Sequence, residues 1–422
     1  MVEEVLRAPP EGSRVPRFFD LQRLYAAAYL LFESGMRSET IHQAVSGTEL
    51  EITEGFELIA RSTDIDFDFA AFNRAHAEAT LPTRPAPPKI EQEDADDGKP
   101  RSVVGALPEL AGIDAEMRQE LGFGIDSLLG ILDTVIGWPV DDEEPVAVVT
   151  ASALVDQASE DTGCIRSELQ HAVSWLTLQA SDLRGEALEH WELDRRAMRL
   201  ATRPLVEAPE AGLLVCPWAA SATRTIISNH LLDGRLPWPQ SALPDAVNRA
   251  LRIYREERNK ELERDVMLAL SGRPNLRARG PIKKAKVLGL AALPRELDGI
   301  CIDETRSRIW VIEAKDRAVA FSPHQVRKAI DEFHEEGGYL SKVIANVELI
   351  QAGASSVAAA MGATEPHRSW EVIGLMATRR IEPAAYMREP RVLFCTSRAI
   401  ADTIDSDVVP TARYALGSGR AT

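Results

Sequence analysis

Two carboxylates and a lysine fall at one end of an apolar hairpin pattern. Asp298 stands before Gly299-Ile300, and the run Val311-Ile312-Glu313-Ala314-Lys315 follows it, with Glu313 fifteen residues after Asp298. Ile300, Ile302, Ile309, Val311 and Ile312 carry the β-branched character of a strand pair. Asp303-Glu304-Thr305-Arg306-Ser307 is the polar turn between them. Glu313 and Lys315 are two apart, so in a strand both side chains point to one face. Asp298, at the head of the preceding strand, reaches the same spot. Two convergent carboxylates make a hard oxygen site for Mg²⁺ or Mn²⁺, and Mg²⁺ keeps several waters as ligands. A lysine beside such an ion orients or polarises an attacking water. These residue types are suited to hydrolysing a phosphodiester. The plainer alternative is a surface hairpin with an exposed Glu–Lys pair that contributes little. Against it, Trp310-Val311-Ile312 is a continuous apolar run, the pattern of a strand buried on both faces.

The pattern Asp298…Glu313-x-Lys315 resembles the PD-(D/E)xK motif of the restriction-endonuclease-like nuclease superfamily. Leu297 stands where a proline often precedes the first acid. The resemblance implies a glutamate on the helix before the hairpin, and Glu263 in Leu262-Glu263-Arg264-Asp265-Val266 matches, with Glu261 the fallback. It also implies a helix with a glutamine near its start after the lysine. In Ser322-Pro323-His324-Gln325, Ser322 is a helix N-cap, Pro323 suits the first helical position and Gln325 follows. Two further strands are expected over 370–378 and 391–395. The order of helix, hairpin, helix, strand and strand is similar to the family over 244–395. The resemblance implies Mg²⁺ held by Asp298 and Glu313, with Glu263 completing the shell or holding a second ion. It gives Lys315 to positioning or deprotonating the water, and Gln325 to orienting the lysine or touching phosphate. DNA is then the partner and substrate. A bacterial defence role is the company this superfamily keeps. The competing class is a catalytically inactive scaffold or partner-binding protein on the same fold.

The elements that must position these residues occupy the last part of the chain. The expected fold class is α+β and multidomain. A helical region over 1–80 precedes a proline-rich and acidic linker over 81–105. A mostly helical middle region spans 106–243, and an α/β nuclease-like domain with a central mixed sheet spans 244–422. Helical periodicity over 16–79 rests on Leu21, Leu24, Ala28 and Leu31. Pro82, Pro85, Pro87 and Pro88 before an acidic run are linker composition. In the middle region Ile125, Leu128, Leu129, Leu132 and Ile136 form one apolar helix face. Residues 153–159, a turn with Gly163, then 165–178 have the outline of a helix-turn-helix. Arg166 is its one strong base at the second helix, and two packed helices are the plainer reading. Arg203 to Val206 and Gly212 to Cys216 suggest a strand pair. Trp218 and Trp238 are candidates for stacking on bases, with burial against the nuclease-like domain as the default.

Hydrophobic content of 45% and charged content of 27% are those of a globular protein. No stretch approaches the ~20 apolar residues of a membrane span, and no signal peptide is read at the amino terminus. Cys164, Cys216, Cys301 and Cys395 form no CxxC pair, which suits the cytoplasm and buried small hydrophobes. No Walker, Rossmann or nucleophile-elbow pattern occurs. The net charge of −17 argues at first against nucleic acid. Its distribution answers this. Residues 251–422 hold 27 Lys and Arg against 23 Asp and Glu, a net of +4, and 1–250 hold 21 against 42, a net of −21. Between Asp265 and Glu296 there is no acid. Arg277, Arg279, Lys283, Lys284 and Lys286 lie there as a candidate phosphate-tracking surface, with a solvated loop as the alternative. The acidic helical part is expected to gate the site, or to assemble it as a homo-oligomer or with a partner protein.

Overall fold

The computed structural model of the chain describes residues 34, 37–45, 47–55, 58–62, 65–80, 102–140, 146–183, 199–208, 212–320, 322–387 and 392–406. The architecture is mixed α/β. Among the described residues, 102–256 form one compact unit, and 34–80 group with 257–406 in another.

The first described sheet corrects the helical reading of 16–79. Strand β1 (Thr48–Ile52) pairs antiparallel with β2 (Leu58–Ser62), Thr48 opposite Ser62 and Ile52 opposite Leu58. Glu49, Leu50, Glu51 and Ile52 alternate with period two, which is a strand's signature and not a helix's. Helix α1 (Phe69–Thr80) follows, its start capped by Asp68, whose carboxylate accepts the Ala71 N–H at 3.0 Å. Residues 16–33 and most of the proline-rich and acidic linker lie outside the described residues.

In the unit of 102–256, α2 (Ala111–Leu121) and α3 (Ile125–Ile136) precede β3 (Ala147–Thr150). Helices α4 (Ala151–Thr162) and α5 (Arg166–Leu176) come next. Strands β4 (Thr177–Leu178), β5 (Leu205–Ala208) and β6 (Gly212–Val215) and helix α6 (Pro217–Leu232) complete it. The expected face of α3 is buried at Ile125, Leu128, Leu129 and Leu132. The expected strand pair is β5 and β6, antiparallel with Val206 opposite Leu214. Strands β3 and β4 extend it to a sheet of order β3-β6-β5-β4. Helices α4 and α5 are joined through Gly163, as both readings of this segment expect, and α5 buries Leu169, Ala172, Val173 and Leu176. At its start Arg166 pairs with Asp156, and Glu168 accepts from Ser127 at 2.6 Å. Trp238 is buried in this unit's own core against Trp175, not against the nuclease-like part, while Trp218 is exposed.

Helix α7 (Asp245–Ser271) contains the division between the units. Beyond it come β7 (Leu276–Arg279), β8 (Gly299–Asp303) and β9 (Arg308–Lys315). Helices α8 (Pro323–His334), α9 (Tyr339–Ala352) and α10 (Ala354–Ala360) precede β10 (Glu371–Thr378). Strand β11 (Leu393–Thr396) and helix α11 (Ile400–Asp405) end the described chain. The sheet order is β11-β10-β9-β8-β7. Strands β7, β8 and β9 are antiparallel neighbours, whereas β9, β10 and β11 run parallel. Parallel pairing of β9 with β10 needs a long crossover, and α8, α9 and α10 form it. Trp310, Val311 and Ile312 are buried because helices cover both faces of this central strand. On one face Leu262, Val266 and Leu270 of α7 pack with Trp310, Ile312 and Ala314. On the other, Ile350 and Val357 pack with Ile309 and Val311, and Val326 and Phe333 of α8 with Met376 and Phe394. Phe67 and Phe72 belong to this second core, which is why 34–80 group here. Among the described residues no single helix is long and apolar enough to cross a membrane.

Candidate active site

The register of β8 on β9 brings the sequence-predicted carboxylates to one strand end. Gly299 is paired with Ile312, so Asp298 and Glu313 are the next residues out. The segment before Asp298 is pinned by a two-way bond with a neighbouring strand-like segment. Ile282 N–H donates to Leu297 O at 2.8 Å and Leu297 N–H to Ile282 O at 3.1 Å. A side chain at Gly280 would fall 2.1 Å from the Asp298 carbonyl oxygen, so only glycine allows this approach. Asp298 Oδ2 accepts the Ala314 N–H at 2.8 Å, and Glu313 Oε1 lies 3.2 Å from Lys315 Nζ. The Glu313 side chain is 15% exposed and that of Lys315 30%. Asp298 Oδ1 and Glu313 Oε2 accept no hydrogen bond among the described residues.

Burial and mutual repulsion set the electrostatics. Burial raises the Asp298 carboxyl, against the Ala314 N–H and Lys315, which lower it. Burial also raises Glu313, and the Asp298 charge raises it further. Burial pulls Lys315 down, but the Glu313 and Asp298 charges outweigh it and hold the ammonium above its ordinary value. Glu263 on α7 is raised by burial and then by the Asp298 charge, so it lies within electrostatic reach of Asp298. The alternative helix acid, Glu261, is drawn elsewhere. It pairs with Arg379 at 3.2 Å, in a network where Asp316 accepts from Arg379 Nε at 2.9 Å and Arg258 Nε at 3.2 Å. That network ties α7 to the ends of β9 and β10, next to Lys315.

Gln325 is placed as the spacing predicts, on the first turn of α8, where its N–H donates to the Ser322 hydroxyl. Among the described residues Lys315 engages Glu313 and Tyr339. Lys315 Nζ is 5.0 Å from the Tyr339 ring centroid, and Lys342 Nζ is 5.1 Å from the same ring. Both Tyr339 and Lys342 escaped the sequence reading. Their only sequence signal is the break Gly337-Gly338 before a helix, since nothing in the spacing reveals where a crossover helix will lie on the sheet. Gly337 takes φ 78°, which turns the chain sharply from α8 into α9.

The basic stretch does not act as one surface. Arg279 is opposite Ile300, at the carboxylate end of the hairpin, and Lys283 pairs with Glu296 at 3.3 Å within the field of Glu263. Arg277 is opposite Ile302 and pairs with Glu304 at 2.7 Å. That is four residues along the strand from Asp298, on the order of 13 Å. Lys284 precedes, and Lys286 lies in, a short turn (Ala285–Leu288) that packs toward α10. The expectation that all five bases line one cleft is corrected for Arg277.

Among the described residues no three His, Cys, Asp or Glu side chains form a group able to hold a metal ion. The donor set here is smaller, two adjacent carboxylates with one open oxygen each. Mg²⁺ needs no more from protein than one or two carboxylates, because waters and phosphate oxygens complete its octahedron. Two half-buried carboxylates that repel each other are a fit for a divalent cation. Compared with protein-family models, curated proteins and solved structures, the chain matches none.

Proposed function

We propose that this chain is a Mg²⁺- or Mn²⁺-dependent endonuclease that hydrolyses DNA phosphodiester bonds on a restriction-endonuclease-like domain. One observation carries the reading: Asp298, Glu313 and Lys315 meet at the end of the two central antiparallel strands, and Glu263 on α7 feels the Asp298 charge. The order α7, β7, β8, β9, α8, β10, β11 supports it as well. Asp298 and Glu313 would hold the ion, with Glu263 completing its shell or holding a second. A bound divalent cation supplies charge neutralisation at the phosphoryl oxygens and lowers the pKa of a coordinated water. Lys315, which keeps its proton, would orient such a water and offset charge in the transition state. Gln325 lies on the first turn of the helix that follows, where it would touch phosphate or orient the lysine. Arg279 presents positive charge at the same strand end. The acidic part of the chain gates or assembles the site, and a defence effector is the setting this suits.

The test is plasmid cleavage with purified chain, with and without Mg²⁺. Nicking or linearisation that requires the ion and is lost in Glu313→Ala supports the reading. A second reading, a non-catalytic scaffold on the same fold, draws on the Glu313–Lys315 pair, which here occupies one carboxylate oxygen. It predicts no cleavage with any divalent ion and unchanged partner binding in the same variant.

A further inference from the structure

The strand end holds more positive charge than the D…ExK pattern accounts for. Lys342, on the first turn of α9, places its ammonium 5.1 Å from the ring that also receives Lys315. Tyr339 is itself fixed edge-on against Phe333, with ring centroids 5.1 Å apart, so the platform has little freedom to move. Two ammonium nitrogens this close to one ring centre lie within about 10 Å of each other. Ammonium groups gain from a ring and repel each other, and an anion between them offsets that repulsion. Lys315 has its anion in Glu313. Lys342 makes no ion pair with a carboxylate among the described residues, and its half-buried stem holds its charge within the field of Glu313.

We infer that Lys342 is a substrate-phosphate-binding residue of this site, held beside Lys315 by the Tyr339 ring, which acts as the positioning residue for both. The inference rests on the nuclease reading and adds to it the group that receives the DNA backbone. Formal charge agrees. Glu263, Asp298 and Glu313 against Lys315 and Lys342 sum to minus one, which a divalent cation turns to plus one. Without Lys342 these groups and the ion would sum to zero, leaving Arg279 of the hairpin side as the unpaired positive charge at this strand end among the described residues. Lys342 also differs from the bases of the 273–295 stretch, because it approaches from the crossover helices and not from the hairpin. A strand of DNA at the carboxylates would thus be contacted from two sides.

The experiment pairs binding with kinetics on the full chain. Affinity for a fluorescein-labelled DNA duplex is read by anisotropy across a salt series with Ca²⁺, an ion that accepts the same carboxylate ligands. Lys342→Gln is expected to lower the slope of log K against log salt by about 0.9, one phosphate contact. In Mg²⁺ it should raise KM about tenfold, the scale of one charged hydrogen bond, and lower kcat much less. Lys342→Arg should recover most of the loss. Tyr339→Leu should lower kcat through Lys315, and the conservative Tyr339→Phe, which keeps the ring, should restore it. Wild-type affinity and salt slope in Lys342→Gln would overturn the inference while Mg²⁺-dependent cleavage by the wild type kept the nuclease reading. Loss of duplex affinity in Lys342→Gln from a wild type that does not cleave would overturn the nuclease reading and the substrate role with it, leaving Lys342 a DNA-backbone contact only. A wild type with no affinity for the duplex would remove both.

Discussion

Lys315 sits 3.2 Å from Glu313 and offsets the repulsion between Glu313 and Asp298, two carboxylates already raised by burial. Its removal therefore acts on chemistry before it acts on folding. Lys315→Ala is expected to lower the single-turnover cleavage rate by about 10²–10³-fold, the usual contribution of one donor positioned to stabilise transition-state charge. Duplex affinity should stay within a few-fold, because the group works mainly in the transition state. Equal loss of rate and affinity would assign it to binding instead. Another buried acid, Glu382, has its carboxyl pushed up to about 8, chiefly by burial, against an ordinary value of 4.5. The folded state then holds this proton over a range in which the unfolded chain has released it. Stability from this group is fully present below about pH 4.5 and falls as pH rises through about 8. Urea denaturation at stepped pH should show that fall, and Glu382→Gln, which cannot ionise, should flatten it.

Elements decide which acids can meet. Glu263 and Glu261 are two apart on α7, hence on different sides of the helix. One feels Asp298, and the other is held by Arg379. Both were candidates in the sequence, and the choice between them needed the rotation of α7 against the sheet. The hairpin, the run through β9, the capped start of α8 and the strands β10 and β11 were all legible, since each rests on local periodicity or a capping residue. What stayed hidden is tertiary. Tyr339 and Lys342 reach the strand end only because α9 is laid back across the sheet after Gly337. The pairing of Arg277 with Glu304 depends on the register of β7 with β8. The hairpin β1–β2 was missed because the helical pattern of 21–31 was carried past its last supporting residue. Its neighbour α1 has a consequence for the site's own core. Phe72 is 5% exposed and lies against Phe67 and Tyr386, with ring centroids 5.9 and 5.8 Å away. Phe72→Ala should lower the stability of this unit by about 3–5 kcal/mol, measured by urea unfolding. No change would make α1 peripheral to the core that supports β10.

At the scale of the whole chain, charge is divided unevenly, −21 over 1–250 and +4 over 251–422, from the counts of 21 against 42 and 27 against 23. A polyanion approaching such a molecule is repelled by the first part and tolerated by the second, so the few unpaired bases near the strand end should dominate its binding. Arg279, Lys284 and Lys286 are exposed and make no ion pair among the described residues, whereas Arg277 is neutralised by Glu304 and Lys283 by Glu296. Each base that neutralises a phosphate contributes about 0.9 to the salt slope of duplex binding. Replacing Arg279, Lys284 and Lys286 together by glutamine should thus lower that slope by up to about 3. Arg277→Gln should leave it as in the wild type, because its charge is already spent on Glu304 in the free protein. Specific and non-specific duplexes should weaken alike in the triple variant, since backbone contacts carry no direct sequence information. Anisotropy titrations of both proteins between 50 and 200 mM salt, a range over which such slopes are resolved, would distinguish the two. A triple variant with the wild-type slope would return the segment to a solvated loop, and a slope lowered by Arg277→Gln alone would move the DNA path toward the turn end of the hairpin.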